Sequence, residues 1–83
     1  MSQITMYGAA WCSDCRRSKK VLDASGFEYV YIDVSADPHA EKFVREVNGG
    51  KQSIPVIVFP DGTHLTEPSD LVLGNKLTSL LSE

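Results

Sequence analysis

No stretch of this 83-residue chain approaches the roughly 20 consecutive apolar residues that a helix needs to cross a bilayer. The opening "MSQITMYGAA" lacks the basic and apolar regions of a secretory signal, so a cytoplasmic location is the default expectation. Positive charge is scarce too. Eight Lys and Arg against eleven Asp and Glu leave a net charge of −3, which gives no reason to expect nucleic acid or a membrane surface as partner. No segment is rich enough in Pro, Gly or Ser to act as a linker, and no repeat or low-complexity tract is visible. With 42% hydrophobic and 23% charged residues, the chain has the makeup of an ordinary globular protein. Its length allows one small core, hence a single domain over 1–83, expected to act as a monomer.

Cysteine is the rarest informative residue. The only two, Cys12 and Cys15, stand in "WCSDC" at 11–15. In a reducing compartment such a pair is a poor candidate for a permanent disulfide, which leaves redox cycling or metal binding. Structural zinc takes four ligands, and only His39 and His64 could join the cysteines, at separations unlike a compact histidine pair. No bound metal is therefore expected, although a CxxC module holding zinc or sharing an iron–sulfur cluster between chains is the rival of a different class. "GGK" at 49–51 lacks the spacing of a phosphate loop and reads as a helix stop.

Hydrophobic patterning predicts the order βαβαββα. Gln3 to Tyr7 reads as a buried strand and Ser13 to Ser25 as a helix ended by Gly26, with Cys15, Val21, Leu22 and Ser25 near its inner face. "FEYVYIDV" at 27–34 is rich in aromatic and β-branched residues, and its length implies a good place in the sheet. Asp37 before Pro38 is a helix start, and "NGG" at 48–50 stops that helix. "IPVIVF" at 54–59 is a third strand, "PDG" at 60–62 a tight turn, and Thr63 to Thr66 a short fourth strand. Ser69 can cap a last helix in which Leu73, Leu77, Leu80 and Leu81 face inward. Strands joined through a helix are expected to run parallel and the terminal hairpin antiparallel, which makes a mixed four-stranded sheet flanked by helices.

A CxxC between a buried strand and a helix is well placed for redox chemistry. At the helix cap, Cys12 meets the unsatisfied N–H groups and positive end of the dipole, which favour a thiolate there and hardly reach Cys15. Cys12 is thus the expected attacking nucleophile and Cys15 the resolving thiol. Arg16, within the basic run Arg16, Arg17, Lys19 and Lys20, is expected to strengthen the thiolate, while that run also reads as a solvated helix face. Asp14 either disfavours the thiolate by leaning toward it or serves as an ordinary first-turn helix acid. Trp11 either packs at the loop or shields and docks a bound thiol.

"YGAAWCSDC", "VNGGKQSIPVIVF" and "DGTHLTEPSD" together resemble the glutaredoxins within the thioredoxin fold, over nearly the whole chain. Within that family, "VNGG" followed by "IP" and "LTEPS" before the last helix are most similar to the mycoredoxin branch, which uses mycothiol where other members use glutathione. The resemblance implies a cis Pro55, with the backbone of Ile54 pairing with a bound small thiol. It implies that Ser69 and Asp70 help hold that thiol beside Cys12, and that Lys51 and Gln52 reach its polar groups. It also implies a co-substrate, mycothiol or glutathione, in place of a bound cofactor. The partners are then protein mixed disulfides and a thiol reductase or thioredoxin reductase. Three departures stand out: Asp14 where an aromatic residue usually precedes the second cysteine, Gly8 to Ala10 where a lysine is often found, and Glu67 and Pro68 in place of a double glycine.

These features point to a thiol–disulfide oxidoreductase that reduces protein mixed disulfides with a small thiol through Cys12 and Cys15. The enzymatic alternative is a dithiol redoxin reduced directly by thioredoxin reductase.

Overall fold

The computed structural model describes residues 3–81. Its elements follow the expected order: β1 (Ile4–Gly8), α1 (Ser13–Ser25), β2 (Tyr29–Asp33), α2 (Pro38–Val47), β3 (Val56–Val58), β4 (His64–Thr66) and α3 (Asp70–Leu81). The strands form one mixed sheet in the order β2-β1-β3-β4. β1 pairs parallel with β2 and antiparallel with β3, and β3 pairs antiparallel with β4.

Alternation along β1 sets the two faces of the sheet. Ile4, Met6 and Gly8 turn to the buried side, where Leu22 of α1 and Leu73 and Leu77 of α3 join the core. Tyr7 turns the other way and stacks on Phe43 of α2, ring centroids 4.9 Å apart. Thus α1 and α3 share one face and α2 covers the other, which brings the loop after β1 and the start of α1 to one end of the sheet.

Both ends of α1 fall where local chemistry predicts. Cys12 is its N-cap, and Gly26 ends it at φ 81°, a left-handed conformation that costs glycine little. Asp37 caps α2 by accepting from the backbone N–H groups of His39 and Ala40 at 3.0 and 3.2 Å. After α2 the chain reverses through Gly49 and Gly50, at φ 67° and 101°, whereas Asn48 keeps a negative φ. The left-handed step belongs to the glycines alone.

Several expectations are corrected. β2 is shorter than residues 27–34 and lies at the sheet edge, with Val30 42% and Tyr31 36% exposed. An edge strand packs on one neighbour only, so its apolar composition exceeds what it buries. β3 begins two residues after Ile54, because Ile54 and the cis Pro55 lie outside the ladder. In α3, Leu73 and Leu77 are buried and Leu80 packs partly against the core, but Leu81 is 73% exposed. It is the last residue of the helix.

Candidate active site

The turn after β1 presents the two cysteines differently. The Cys12 N–H donates to the Ala9 carbonyl at 3.1 Å, and the Arg16 N–H donates back to the Cys12 carbonyl at 3.1 Å, which starts the helical ladder. Cys12 Sγ therefore sits at the N-cap, where it accepts from the Cys15 N–H at 3.2 Å and donates to the Ile54 carbonyl at 3.9 Å. A sulfur in this position receives a helix N–H at the positive end of the helix dipole. Both cysteines are free thiols, Cys12 partly exposed and Cys15 buried.

Cys15 is 1% exposed. Burial first, then its hydrogen bond with Cys12, pushes its thiol up to about 12, and the Asp14 carboxylate adds the smallest push. Gly8 makes room for it: a Cβ there would lie 3.1 Å from Cys15 Sγ and 3.3 Å from the Tyr31 hydroxyl. Tyr31 is raised as well, by its own burial and then by Cys15. The inner thiol is thus sealed behind the first strand and held in its neutral form.

The charged residues around the pair have settled partners. Asp14 is an exposed first-turn acid that accepts from Arg17 Nη1 at 3.0 Å, and Arg17 Nε donates to Asp70 at 3.1 Å. Arg16 Nη1 donates to the Ala10 carbonyl at 2.7 Å, bracing the loop that leads into Cys12. Ser69 caps α3, its hydroxyl accepting from the Val72 N–H at 3.2 Å. Glu67 precedes that cap at φ 49° and donates its N–H to the Pro55 carbonyl at 2.8 Å. Glu67 thus takes a left-handed backbone step itself, without a glycine.

A groove runs from Ile54, beside Cys12, between Trp11 and α2. Its walls include Val34, Ser35, Glu41, Val44 and Gln52. Trp11 is 72% exposed, and its indole N–H donates to Ser35 Oγ at 3.2 Å. Of the residues singled out in the sequence, Trp11, Gln52 and Ile54 meet in this groove, while Ser69 and Asp70 stand at the start of α3, joined to α1 through Arg17. Lys51 is exposed next to Gln52 and forms no part of the groove wall. Ser35, Glu41 and Arg17 were not legible as site residues. Arg17 entered only as one member of the basic run after Cys15, and its i, i+3 spacing from Asp14 is the signal that could have paired the two.

His39 and His64 stand on α2 and β4. Among the described residues no group of three or more His, Cys, Asp or Glu side chains is placed to hold a metal ion. Nor is any described helix long and apolar enough to cross a membrane.

Comparison with known proteins agrees with this geometry. A family model described as Glutaredoxin matches residues 4–65. Mycoredoxin 1 of Corynebacterium glutamicum is 44% identical over 68 residues, which span 82% of this chain and 84% of that one. Among solved structures, a glutaredoxin from Archaeoglobus fulgidus superimposes with a TM-score of 0.71 at 25% identity, over 100% of this chain and 89% of its own. The NrdH-redoxin of Escherichia coli gives a TM-score of 0.75 over 89% of this chain and 93% of its own, and at 23% identity it speaks to the fold alone. The fold is thioredoxin-like.

Proposed function

The chain belongs to the glutaredoxin family of thiol–disulfide oxidoreductases, and on that premise we propose that it reduces protein mixed disulfides with a low-molecular-weight thiol, mycothiol. The observation that carries this reading is the asymmetry of the pair. Cys12 is partly exposed at a helix N-cap, while Cys15 is sealed and kept protonated.

In this reaction the Cys12 thiolate attacks the small-thiol sulfur of a mixed disulfide. The protein substrate leaves as a thiolate and takes a proton from solvent, and Cys12 now carries the small thiol in a new disulfide. A second small-thiol anion then attacks the carried sulfur, which releases the symmetrical small-thiol disulfide and restores the Cys12 thiolate. An NADPH-dependent reductase returns that disulfide to two thiols. Cys15 offers a second way out by displacing the carried thiol, but its raised pKa makes it a slow nucleophile near neutral pH.

The surrounding residues divide the binding. In this reading the Ile54 backbone pairs with the cysteinyl amide of the bound thiol, a role supported by its carbonyl lying 3.9 Å from Cys12 Sγ. Ser69 and Asp70 border it on the α3 side, and Gln52 on the groove side with Lys51 beyond. Trp11 shields the adduct, Arg16 steadies the loop, and Asp14 modulates through its pair with Arg17. We place this activity in a reducing cytoplasm, in a single-domain monomer. Support for mycothiol comes from the likeness to Mycoredoxin 1.

The test is NADPH-coupled turnover with three donors in separate assays: mycothiol with its reductase, glutathione with its reductase, and thioredoxin reductase alone. Expected is turnover with mycothiol that survives Cys15→Ser and is abolished by Cys12→Ser. Turnover with thioredoxin reductase alone, lost in both variants, would replace this reading with a dithiol redoxin.

A further inference from the structure

The groove beside Cys12 has an unusual set of walls for a site next to a thiolate. Its polar groups are the Ser35 hydroxyl, the Gln52 amide and the Glu41 carboxylate, and no cation lines it. The one charged lining residue is an acid. Arg45 is drawn onto it from one turn away along α2, Nε donating to Glu41 Oε1 at 2.7 Å. The remaining surface is the indole of Trp11 and the side chains of Val34, Val44 and Ile54.

An anionic arm would find a carboxylate on this wall, while Arg45 is already engaged by that carboxylate and, like Lys51, stands outside the lining, so the charge of the arm would be poorly compensated. A purely apolar arm would offer nothing to the Gln52 amide, nor to the hydrogen-bonding capacity that Ser35 and Glu41 keep beyond their contacts with Trp11 and Arg45. A polyhydroxylated arm fits both requirements. Its C–H faces can lie on an aromatic plane, and its rim of hydroxyl groups can donate to Glu41 and Gln52 and accept from Gln52 and Ser35. The indole is held for that purpose: its N–H is committed to Ser35, which fixes the ring plane while leaving it 72% exposed. The groove begins at Ile54, whose carbonyl faces Cys12 Sγ, so an arm that enters it belongs to a thiol joined to Cys12.

We propose that Trp11, Ser35, Glu41 and Gln52 form a subsite for an uncharged polyol arm of the small thiol, and that Glu41 excludes thiols whose arm ends in a carboxylate. The assignment rests on the small-thiol reading above and deepens it by naming what selects the thiol. Specificity is then set partly on α2, remote in sequence from the cysteines and from α3.

The test compares the unaltered protein with Glu41→Lys and Ser35→Ala. KM is measured in coupled turnover for mycothiol, whose arm is a pair of uncharged polyhydroxylated rings, and for glutathione, whose arms carry carboxylates. In parallel, Trp11 fluorescence is titrated with the S-methyl derivative of each. Trp11 is the only tryptophan, so the signal comes from the groove itself. Glu41→Lys is expected to shift the ratio of the two KM values toward glutathione by about fivefold or more. Ser35→Ala frees the indole and is expected to weaken S-methyl mycothiol binding without improving that of S-methyl glutathione. If the unaltered protein turns over mycothiol but both variants leave the KM ratio and the fluorescence titrations within about twofold, the subsite is wrong and the small-thiol reading stands. If the unaltered protein uses neither small thiol and neither derivative moves its fluorescence, both fall together.

Discussion

Arg17 of α1 reaches Asp70 of α3 across 53 residues of sequence, Nε to Oδ1 at 3.1 Å, while its other arm holds Asp14 at 3.0 Å. One guanidinium thus ties the first turn of the cysteine helix to the first turn of the last helix. Both carboxylates are engaged by the same side chain.

All three side chains are about half exposed, so the tie should be modest and sensitive to salt. A double-mutant cycle with Arg17→Gln and Asp70→Asn is expected to give a coupling of roughly 0.2–1 kcal/mol in low-salt urea melts. At 1 M salt, where the screening length falls to about 3 Å, most of it should vanish. A coupling unchanged by salt would show that the pair is shielded from solvent in a way its exposure denies.

Cys15 makes a prediction in pH. Its thiol is raised from 9.0 to about 12 by burial and by Cys12, so the folded protein holds this proton more tightly than the unfolded chain. Its contribution to stability is complete below pH 9 and is lost as pH climbs toward about 12. The reduced protein should therefore lose stability more steeply over that window than Cys15→Ala does. Alkylation gives a second reading of the same property: iodoacetamide near pH 7.5 should label Cys12 in the folded protein and reach Cys15 only after unfolding. Equal labelling of both in the folded state would mean that the inner thiol is not sealed.

Glu67 holds φ 49°, where a side chain costs about 1–2 kcal/mol relative to glycine. Glycine loses more freedom on folding, by roughly 0.5–1 kcal/mol, which offsets part of the relief. Glu67→Gly should leave a net gain of about 0.5–1 kcal/mol, read as a rise in Tm of roughly 2–8 °C. Glu67→Ala should show no such gain, since alanine keeps the Cβ. Matching effects from both would place the cost in the glutamate side chain and not in the backbone.

Much of this was legible from local chemistry. The bounds of α1 could be read because a cap residue and a terminal glycine act within one turn of where they stand, and Asp37 marked α2 for the same reason. The outward position of β2 could not be read. A strand's place depends on which partner β1 accepts on each side, and "FEYVYIDV" carries the same residues at an edge as in the middle. Asp14 is the clearest case within the site. Its orientation is decided by Arg17, which answers in turn to Asp70 at the far end of the chain. The groove was half hidden for a related reason: Trp11 and Gln52 stand in recognisable stretches, but Ser35 and Glu41, which complete the walls from separate segments, carry no motif of their own.

The last helix is fastened at three places. Asp70 is tied to α1, Lys76 reaches Asp61 in the turn of the β3–β4 hairpin, and Leu73 and Leu77 are buried in the core between them. A helix so held can neither slide nor roll without breaking one of these contacts. The consequence is entropic: Ser69 and Asp70 are brought to order when the chain folds, so under the proposed small-thiol reading a ligand meeting them would have no segment left to immobilise. Each rotamer-rich side chain already fixed would spare that association roughly 0.5–1.5 kcal/mol.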